Sequence, residues 1–359
     1  MVIQELIKTG VFPQTITTLG SQPEDINSWD RFILNSPHSL PTQLSAWKEV
    51  LQFVYNYPCF FLMASEGEYI TGVLPLFQVN SPIIGNSLQS MPGGLCAANL
   101  ETAQSLIRFA DSLARELKVD FLLLRDSRFE FSFADLEVIE AHRGVVLELS
   151  NDPEDVWKKL PKDVRYHIRH GKKQGEIKVL MDPSRVKDFY RVFSLVMRNL
   201  GTPIFSINFL LKVAEQLPKS YQLTLVCHSK DIIGGYFNLV MNRSIYGMWG
   251  GVLHAYKSLK ATHQAYWSMI EDACASGITC FDMGRSPYPS SQFEFKEQWG
   301  DRSYPIYQLY KVYRGKKPQT VDVSKQDGIN TIIQWGWRYM PIRLTHFFGP
   351  LIRWHIPFG

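Results

Sequence analysis

The stretch Cys280–Gly300, CFDMGRSPYPSSQFEFKEQWG, decides the fold of this chain more clearly than any other part of the sequence. An apolar run over Ile278–Met283 predicts a short strand that carries Asp282. A Gly-Arg-Ser-Pro sequence then predicts a turn that holds Arg285, and an aromatic segment with Lys296 follows. Long cationic side chains are rarely buried unless they are paired or bind an anion. The two cations therefore indicate an anion site, or else Asp282 pairs with Arg285 and Lys296 lies on the surface.

Length and composition set the broad class of the protein. The 359 residues allow two domains of ordinary size. The apolar share of 45% and the charged share of 20% are typical of a folded soluble protein. A net charge of +4 is too small to indicate nucleic-acid binding by itself.

The cysteines argue against metal and redox chemistry. There are five of them, widely spaced and without a Cys-x-x-Cys pair, so the sequence predicts neither a zinc site nor a dithiol site. Scattered thiols suit a reducing compartment. The first residues lack the charged and apolar regions of a secretory signal, and no apolar run is long enough for a spanning helix. We therefore expect a cytoplasmic protein.

Two halves of the chain repeat a similar order of predicted elements. The first half contains a hairpin, a helix and two strands, at 60–62 with 70–77, 101–117, 121–124 and 144–149. The second half contains a hairpin, a strand, a helix and a strand, at 223–227 with 232–240, 244–249, 259–276 and 278–283. An Asn-Asp-Pro cluster separates the halves. We predict domains at 1–150 and 151–315 and a tail at 316–359.

The C-terminal motif carries a family resemblance. The pattern aromatic-Asp-x-Gly-Arg-Ser-Pro, then aromatic-x-Phe-Lys-x-x-Trp-Gly, resembles the end of FemAB-like acyltransferases, in the BioF2-like branch of the GNAT superfamily. The Trp-Gly-Gly sequence at 249–251, the Gln-Ala-Tyr-Trp sequence at 264–267 and the basic segment 164–175 agree with it. The likeness covers roughly residues 30–315. It implies an α/β fold of two tandem GNAT-like domains, each a mixed sheet flanked by helices.

The resemblance also implies a function. It indicates an N-acyltransferase or aminoacyltransferase that acts on an amine of a cell-envelope precursor, such as a peptidoglycan or exopolysaccharide intermediate. Lys296 matches the lysine of the family motif and is the first catalytic candidate, as a group that stabilises an oxyanion. Arg285 is the second candidate, for anion binding. Asp282 is the third, either holding Arg285 or accepting a proton from the amine. No cysteine lies in a nucleophile motif, so the amine is expected to attack directly.

Further residues are candidates for substrate binding. Cations at Lys162, Arg165, Arg169 and Lys172 are spaced to share one helix face. The stripe predicts contact with phosphate groups of a substrate or an RNA, or is a solvated face. The resemblance implies a phosphorylated or lipid-linked envelope precursor as this substrate. Aromatic residues on and after the predicted strand 244–249 would line the acceptor cleft or belong to the core. The substrate-binding candidates are thus Arg165, Arg169, Lys172, Tyr246, Trp249 and Tyr256.

The donor stays open at this point. GNAT enzymes usually hold the coenzyme A pyrophosphate on a glycine-rich turn at a helix start, whereas the equivalent segment 254–263 contains no glycine. FemAB-like enzymes use aminoacyl-tRNA and share this departure, but the chain lacks the long heptad arm of several of them. The resemblance thus implies that no cofactor is tightly bound and that the donor is either aminoacyl-tRNA or acyl-CoA. The alternatives are an acyl-CoA-dependent N-acetyltransferase of a small or sugar amine, and a non-catalytic glycan- or lipid-binding assembly protein at a membrane.

The last 32 residues form a distinct segment. Residues 328–359 contain seven aromatic residues and three arginines but no acidic residue. Aromatic residues mixed with arginines suit a membrane interface. The segment therefore predicts peripheral attachment to a membrane, with packing on the protein body as the alternative.

Overall fold

The computed structural model describes residues 14–127, 136–315 and 328–358. They divide into two compact units. Unit 1 contains the described residues up to Ala141, those from Pro305 to 315, and those from Trp354 onward. Unit 2 contains His142–Tyr304 and the described tail residues up to Arg353. The predicted domain limits at 150 and 315 stay predictions, and 316–327 lie outside the described residues.

The helices and strands are numbered in chain order. The strands are β1 Thr15–Thr18, β2 Cys59–Glu66, β3 Tyr69–Val79, β4 Ser87–Ser90, β5 Cys96–Ala97, β6 Phe121–Ser127, β7 Glu137–Glu148, β8 Ile177–Met181, β9 Tyr221–His228, β10 Asp231–Met241, β11 Ser244–Val252, β12 Cys280–Pro287 and β13 Arg302–Val312. The helices are α1 Pro23–Asn35, α2 Ala46–Tyr55, α3 Leu100–Glu116, α4 Pro153–Lys159, α5 Lys162–Gln174, α6 Val186–Leu200, α7 Ile207–Gln216, α8 Ala261–Ala275, α9 Ser291–Glu297, α10 Gly328–Tyr339 and α11 Ile342–His355.

Unit 1 is built on a mixed sheet in the strand order β1-β2-β3-β4-β6-β13. Strands β2 and β3 form an antiparallel hairpin, and β4 lies parallel to β6. Helix α3 joins the two parallel strands and packs on the sheet through Leu106, Phe109, Ala110 and Leu113, which are all buried. This apolar face is the one that the sequence predicts. The sequence does not predict β4, because Ser87–Ser90 has no apolar alternation.

Unit 2 repeats this arrangement in the strand order β7-β12-β11-β10-β9-β8. Strands β9 and β10 form the hairpin, and β11 lies parallel to β12. Helix α8 joins the parallel strands and is buried through Ala265, Met269, Ile270 and Ala273. The order hairpin, strand, helix, strand therefore occurs in both units. This confirms the predicted α/β fold of two tandem domains, each a mixed sheet flanked by helices.

The structure corrects the predicted turn after Asp282. Residues 284–287 continue β12, and the irregularity is a break in the β12–β7 register between Asp282 and Arg285. Gly284 makes the break with a φ of +74°. The predicted helix 259–276 begins only at Ala261, because Lys260 adopts a φ of +54° after a short 3-10 turn at His254–Leu259.

The tail residues of unit 2 form α10 and part of α11. Helix α10 packs against α6, and Gly201 at the end of α6 lies against the backbone of Gln334. None of the described helices is long and apolar enough to cross a bilayer. At the end of α11, Trp354 belongs to unit 1, where its indole N–H donates to the Tyr55 carbonyl at 2.6 Å.

Gly284→Ala tests how tightly the β12 break is fixed. A Cβ at this position would lie 2.0 Å from the Gly247 carbonyl oxygen, in addition to the strain of the left-handed conformation. Gly277→Ala is the matched control, because Gly277 has a φ of +70° but open space around its Cβ. We expect Gly277→Ala to lower the free energy of unfolding by about 1 kcal/mol and Gly284→Ala by at least about 3 kcal/mol. Equal losses in urea titrations would contradict the steric argument.

Candidate active site

The parallel strands β11 and β12 separate after a short paired stretch. Their register joins Ser244 to Cys280 and ends where Tyr246 pairs with Asp282. Beyond that pair, β11 continues to Val252 beside β10, whereas β12 pairs with β7. Although β11 is an internal strand, every residue from Tyr246 to Val252 is partly exposed. Solvent therefore reaches β11 beyond its last pair with β12, at the carboxyl ends of the strands where α/β sheets usually bind ligands. We call this region the opening between β11 and β12.

A register break lies on each side of the opening. On β11, Phe237 of β10 pairs with Trp249 and the next residue pairs with Gly247, so Met248 is left out of the register. On β12, the pairing with β7 passes from Asp282 to Arg285. Bulges of this kind release backbone groups from the ladder and are frequent next to active sites. The opening therefore presents backbone groups as well as side chains.

Lys296 is held at the β12 break by the short helix α9. Ser290 caps this helix, since its hydroxyl accepts from the Phe293 N–H at 3.1 Å. The Lys296 side chain is only 6% exposed, and its ammonium donates to the Gly284 carbonyl at 3.2 Å and to the Arg285 carbonyl at 3.1 Å. The structure thus places Lys296 under the backbone of the break, where it fixes the course of β12.

Burial changes the proton affinity of Lys296. Removal from water lowers the pKa of its ammonium to about 8, with the nearby Arg285 acting in the same direction. The Asp282 carboxylate opposes the shift and favours the charged form. At neutral pH the ammonium stays mostly charged, so a fixed positive charge lies at the base of the opening.

Asp282 is a buried partner of the backbone and of a tyrosine. It is 2% exposed, and one oxygen accepts from the Gly284 N–H at 2.9 Å. The other oxygen accepts from the Tyr304 hydroxyl at 2.7 Å. These bonds position the carboxylate beside Lys296 and turn it away from solvent. Of the two predicted roles for Asp282, this geometry favours holding its neighbours over accepting a proton from an amine.

Arg285 and Ser286 form the rim of the site on β12. Arg285 is half-buried, next to the Lys296 ammonium that its carbonyl accepts from. Ser286 is fully buried, and its hydroxyl has no hydrogen-bond partner among the described residues. Buried polar groups are nearly always satisfied. The Ser286 hydroxyl is therefore a buried polar group that the described residues leave unsatisfied.

The predicted aromatic residues have different surroundings. Tyr246 lies at the start of the opening, opposite Asp282. Trp249 packs edge-on against Phe209 and Phe237, and its ring centroid lies 5.3 and 5.6 Å from theirs. Its ring is therefore held by neighbouring aromatic side chains of unit 2. Tyr256 packs on the core, and its ring lies 5.2 Å from that of His228. Tyr246 is thus the predicted aromatic residue closest to the catalytic candidates.

The basic stripe on α5 separates into paired and unpaired cations. Arg169 stacks over Trp157 at 5.2 Å, and Lys172 forms an ion pair with Glu271 at 3.2 Å. Arg165 is half-buried, and its Nε has no hydrogen-bond partner among the described residues. Of the three predicted binding cations, Arg165 is thus the one whose guanidinium keeps a buried N–H that the described residues leave unsatisfied.

Two histidines meet where α5 packs near the start of α8. The sequence does not single out His263, and it favours a surface position for His167 over a ligand role. The rings of His263 and His167 lie 4.9 Å apart, and His263 also contacts Trp299 at 5.9 Å. Burial, together with His167 and Lys260, lowers the pKa of His263 to about 4, so its imidazole is neutral at neutral pH. The buried Nδ1 of His167 and the indole N–H of Trp299 have no partner among the described residues. Neither residue spacing nor a motif signals this cluster, since α5 and α8 meet only in the folded unit.

Comparison with known proteins identifies the part of the chain that carries this site. Residues 158–297 match the family model described as acetyltransferase (GNAT) domain. This segment is therefore similar to a GNAT domain. It includes β11, β12 and Lys296, and the match agrees with the predicted resemblance to the GNAT superfamily. The match supports acyltransferase activity. The chain has no significant match among curated proteins.

Solved structures agree with the GNAT fold over most of the chain. FemX superposes with a TM-score of 0.63 at 12% identity, over 83% of this chain and 97% of FemX. The C-terminal domain of a putative lysylphosphatidylglycerol synthetase from Agrobacterium fabrum gives 0.55 at 10% identity, over 81% and 92%. A tandem GNAT protein from the clavulanic acid biosynthesis pathway gives 0.55 at 8% identity, over 85% and 100%. At such low identities the likeness establishes only the fold, which this chain shares with FemX and with the tandem GNAT protein.

The described residues contain no cluster of side chains that could bind a metal ion. No group of three or more His, Cys, Asp or Glu side chains there is placed to share an ion. The site is therefore described by its cations, carboxylate, tyrosines and backbone groups.

The lowered pKa of Lys296 predicts a pH-dependent stability. The unfolded chain keeps the lysine proton up to the ordinary pKa of 10.5, whereas the folded protein releases it at about 8. Between these values the unfolded state binds more protons, so stability rises with pH. Compared with Lys296→Met, the wild type should gain up to about 3 kcal/mol of unfolding free energy from pH 8 to 10.5. A difference in unfolding free energy between the wild type and Lys296→Met that stays constant from pH 8 to 10.5 would show that the ammonium is not desolvated. The exposed Lys230→Met serves as the control and should show no such trend.

Proposed function

We propose that the protein transfers an acyl or aminoacyl group from an activated ester to an amine of a cell-envelope precursor, and that the reaction takes place in the opening between β11 and β12. The observation that carries this proposal is the position of the Lys296 ammonium at the base of a solvent-reaching opening in the GNAT domain. Acyltransferase activity is what the family supports. The envelope acceptor rests on the resemblance of the Cys280–Gly300 motif to FemAB-like enzymes and on the fold shared with FemX.

The chemistry requires stabilisation of a developing negative charge. The neutral amine attacks the carbonyl carbon of the donor, a C–N bond forms, and the carbonyl oxygen becomes an oxyanion. The bond from carbon to the leaving oxygen or sulfur then breaks, and the amine proton passes to the leaving group or to water. Groups that are already oriented toward the oxyanion lower the barrier without reorganisation. Lys296 supplies such a fixed charge, and the bulged Met248 supplies a backbone N–H on the facing strand.

The neighbouring residues support this charge. Two of the three ammonium protons of Lys296 go to the Gly284 and Arg285 carbonyls, so one proton remains for a substrate. Asp282 acts as a positioning residue that keeps Lys296 protonated and orders the break through the Gly284 N–H. Arg285 binds an anionic part of a substrate, such as a phosphate.

The donor is the open part of the proposal. GNAT domains usually take the acyl group from coenzyme A. The glycine-free start of α8, with Lys260 in a left-handed conformation, departs from the usual pyrophosphate turn. A direct comparison decides this point. Purified protein is incubated with an amine-bearing nucleotide-linked peptidoglycan precursor and either acyl coenzyme A thioesters or aminoacyl-tRNA, and products are identified by mass spectrometry.

The outcomes of this experiment separate the candidate functions. Acylated precursor with one donor supports the proposal and identifies the donor. Acylation of small or sugar amines alone, from coenzyme A, would replace it with an ordinary N-acetyltransferase. Binding of the precursor without turnover by either donor would indicate a non-catalytic protein. Envelope precursors from cells with and without the protein provide the matching test in the cell.

Lys296→Met tests the catalytic role. Loss of a single oxyanion-stabilising donor should lower kcat by about a hundredfold or more. The exposed Lys230→Met is the control and should keep full activity. Donor affinity, measured by titration calorimetry, should change by less than about threefold in Lys296→Met because the charge acts mainly in the transition state. Unchanged kcat would remove Lys296 from the reaction.

Arg165→Gln tests the stripe on α5. Because Arg169 and Lys172 already have partners within the unit, Arg165 should account for most of the affinity of α5 for phosphate. We expect Arg165→Gln to weaken binding of a phosphate-bearing substrate about tenfold. Lys172→Gln is the matched control and should weaken it less than about twofold. Equal effects of the two variants would indicate diffuse attraction by the whole face.

A further inference from the structure

Helix α11 turns its polar side inward. The residues that it buries are Thr345, Gly349 and Arg353, which are spaced four residues apart on one face. The guanidinium Nε of Arg353 donates to the Pro203 carbonyl at 2.9 Å. A Cβ at Gly349 would lie 2.6 Å from the Ile204 carbonyl oxygen, so α11 lies directly on this backbone. Small and polar residues therefore attach the helix to unit 2.

The opposite side of α11 is apolar and exposed. Leu344, Phe347, Phe348 and Leu351 occupy helix positions i, i+3, i+4 and i+7, and they are 45, 64, 42 and 54% exposed. In a helix of a soluble protein this stripe normally faces the core. Here the amphipathic pattern is reversed, so packing on unit 2 does not explain the apolar stripe.

Helix α10 adds two aromatic residues to this surface. Trp335 is 62% exposed and Tyr339 73% exposed, and their ring centroids lie 5.0 Å apart. Trp337, between them in sequence, is buried and faces the unit. Only two residues separate α10 from α11. We call the six exposed side chains the apolar face of α10–α11: Trp335, Tyr339, Leu344, Phe347, Phe348 and Leu351.

Positive charge accompanies the apolar face. Arg338 and Arg343 are exposed next to it, and the segment 328–359 contains no acidic residue. A symmetric contact with a second copy of the chain would bring these arginines near one another without a carboxylate from the same segment to pair with them. Anionic lipid headgroups, by contrast, complement arginines, and Trp and Tyr side chains are enriched at the level of the headgroups.

We propose that the apolar face of α10–α11 binds the surface of an anionic lipid bilayer, with the two helices lying in the interface. Helices of 12 and 14 residues are too short to cross the hydrocarbon region, but a single apolar stripe flanked by arginines suits shallow insertion. The face holds the GNAT domain at a membrane, where lipid-linked amines are concentrated. The binding itself does not depend on the proposed reaction, because it involves none of the residues of the opening.

Vesicle sedimentation of the full chain tests the proposal. Wild-type protein should bind vesicles of phosphatidylglycerol and phosphatidylcholine and bind weakly to vesicles of phosphatidylcholine alone. Phe347→Ser/Leu351→Ser should lower the partition coefficient at least about tenfold, because two inserted side chains lose their burial. Tyr69→Ser/Ile83→Ser is the matched control; these residues of unit 1 are 81% and 56% exposed, and their loss should leave binding unchanged.

A second variant tests the electrostatic part. Arg338→Gln/Arg343→Gln should weaken binding to the anionic vesicles about tenfold or more and reduce its dependence on salt. Light scattering of the same proteins without lipid tests whether the apolar face of α10–α11 instead binds a second copy of the chain. A wild-type dimer that Phe347→Ser/Leu351→Ser converts to a monomer would overturn the proposal, as would wild-type protein that does not sediment with anionic vesicles. Loss of vesicle binding with normal acylation of a soluble precursor would leave the proposed function intact.

Discussion

The ammonium of Lys296 connects the architecture of unit 2 to its chemistry. A β-sheet whose parallel strands separate loses backbone hydrogen bonds at the point of separation, and buried carbonyl groups without donors are destabilising. Lys296 supplies donors to two consecutive carbonyls, at Gly284 and Arg285, and thereby stabilises the break in β12. The same group brings a positive charge into a desolvated position that Asp282 keeps charged. Structural support and electrostatic preorganisation are therefore properties of one side chain, which explains why a lysine rather than a neutral donor suits this position.

The sequence predicts this site in part. Lys296, Arg285 and Asp282 lie within 15 residues of one another, so their meeting in space follows from a strand, a short connection and a helix. The predicted turn at 284–287 is wrong because Gly and Pro signal a break in regular structure without distinguishing a turn from a bulge. The bond between Tyr304 and Asp282 also escapes prediction, since it joins residues on different elements.

The basic stripe and the tail also show that a local sequence pattern does not predict tertiary contacts. Helical spacing correctly places Arg165, Arg169 and Lys172 on one helix. It contains no information on Trp157, which stacks under Arg169, or on Glu271, which forms an ion pair with Lys172. In the tail, composition alone indicates a membrane interface but does not predict which helix face carries the apolar residues. Which side of α11 faces outward depends on the backbone at 203–204, where a Cβ on Gly349 would not fit and where Arg353 donates to the Pro203 carbonyl. Local pattern thus predicts which side chains act together, and tertiary contacts decide which of them stay accessible.

The two units also differ in how far their parallel strands are buried. In unit 1 the parallel strands β4 and β6 correspond to β11 and β12, yet every residue of β4 is buried. The side chain of Arg125 lies beside them and donates from Nε and one terminal nitrogen to the Gln89 amide oxygen, at 2.9 and 2.7 Å. In unit 2, Arg285 of β12 is only partly buried. Arg125 is thus enclosed within its own unit, whereas part of Arg285 is exposed to solvent. The parallel strands of unit 1 are therefore covered by side chains of that unit, whereas β11 of unit 2 is partly exposed. The sheet of unit 2 is also the one that contains the register breaks on β11 and β12, the buried Lys296 ammonium and the family match.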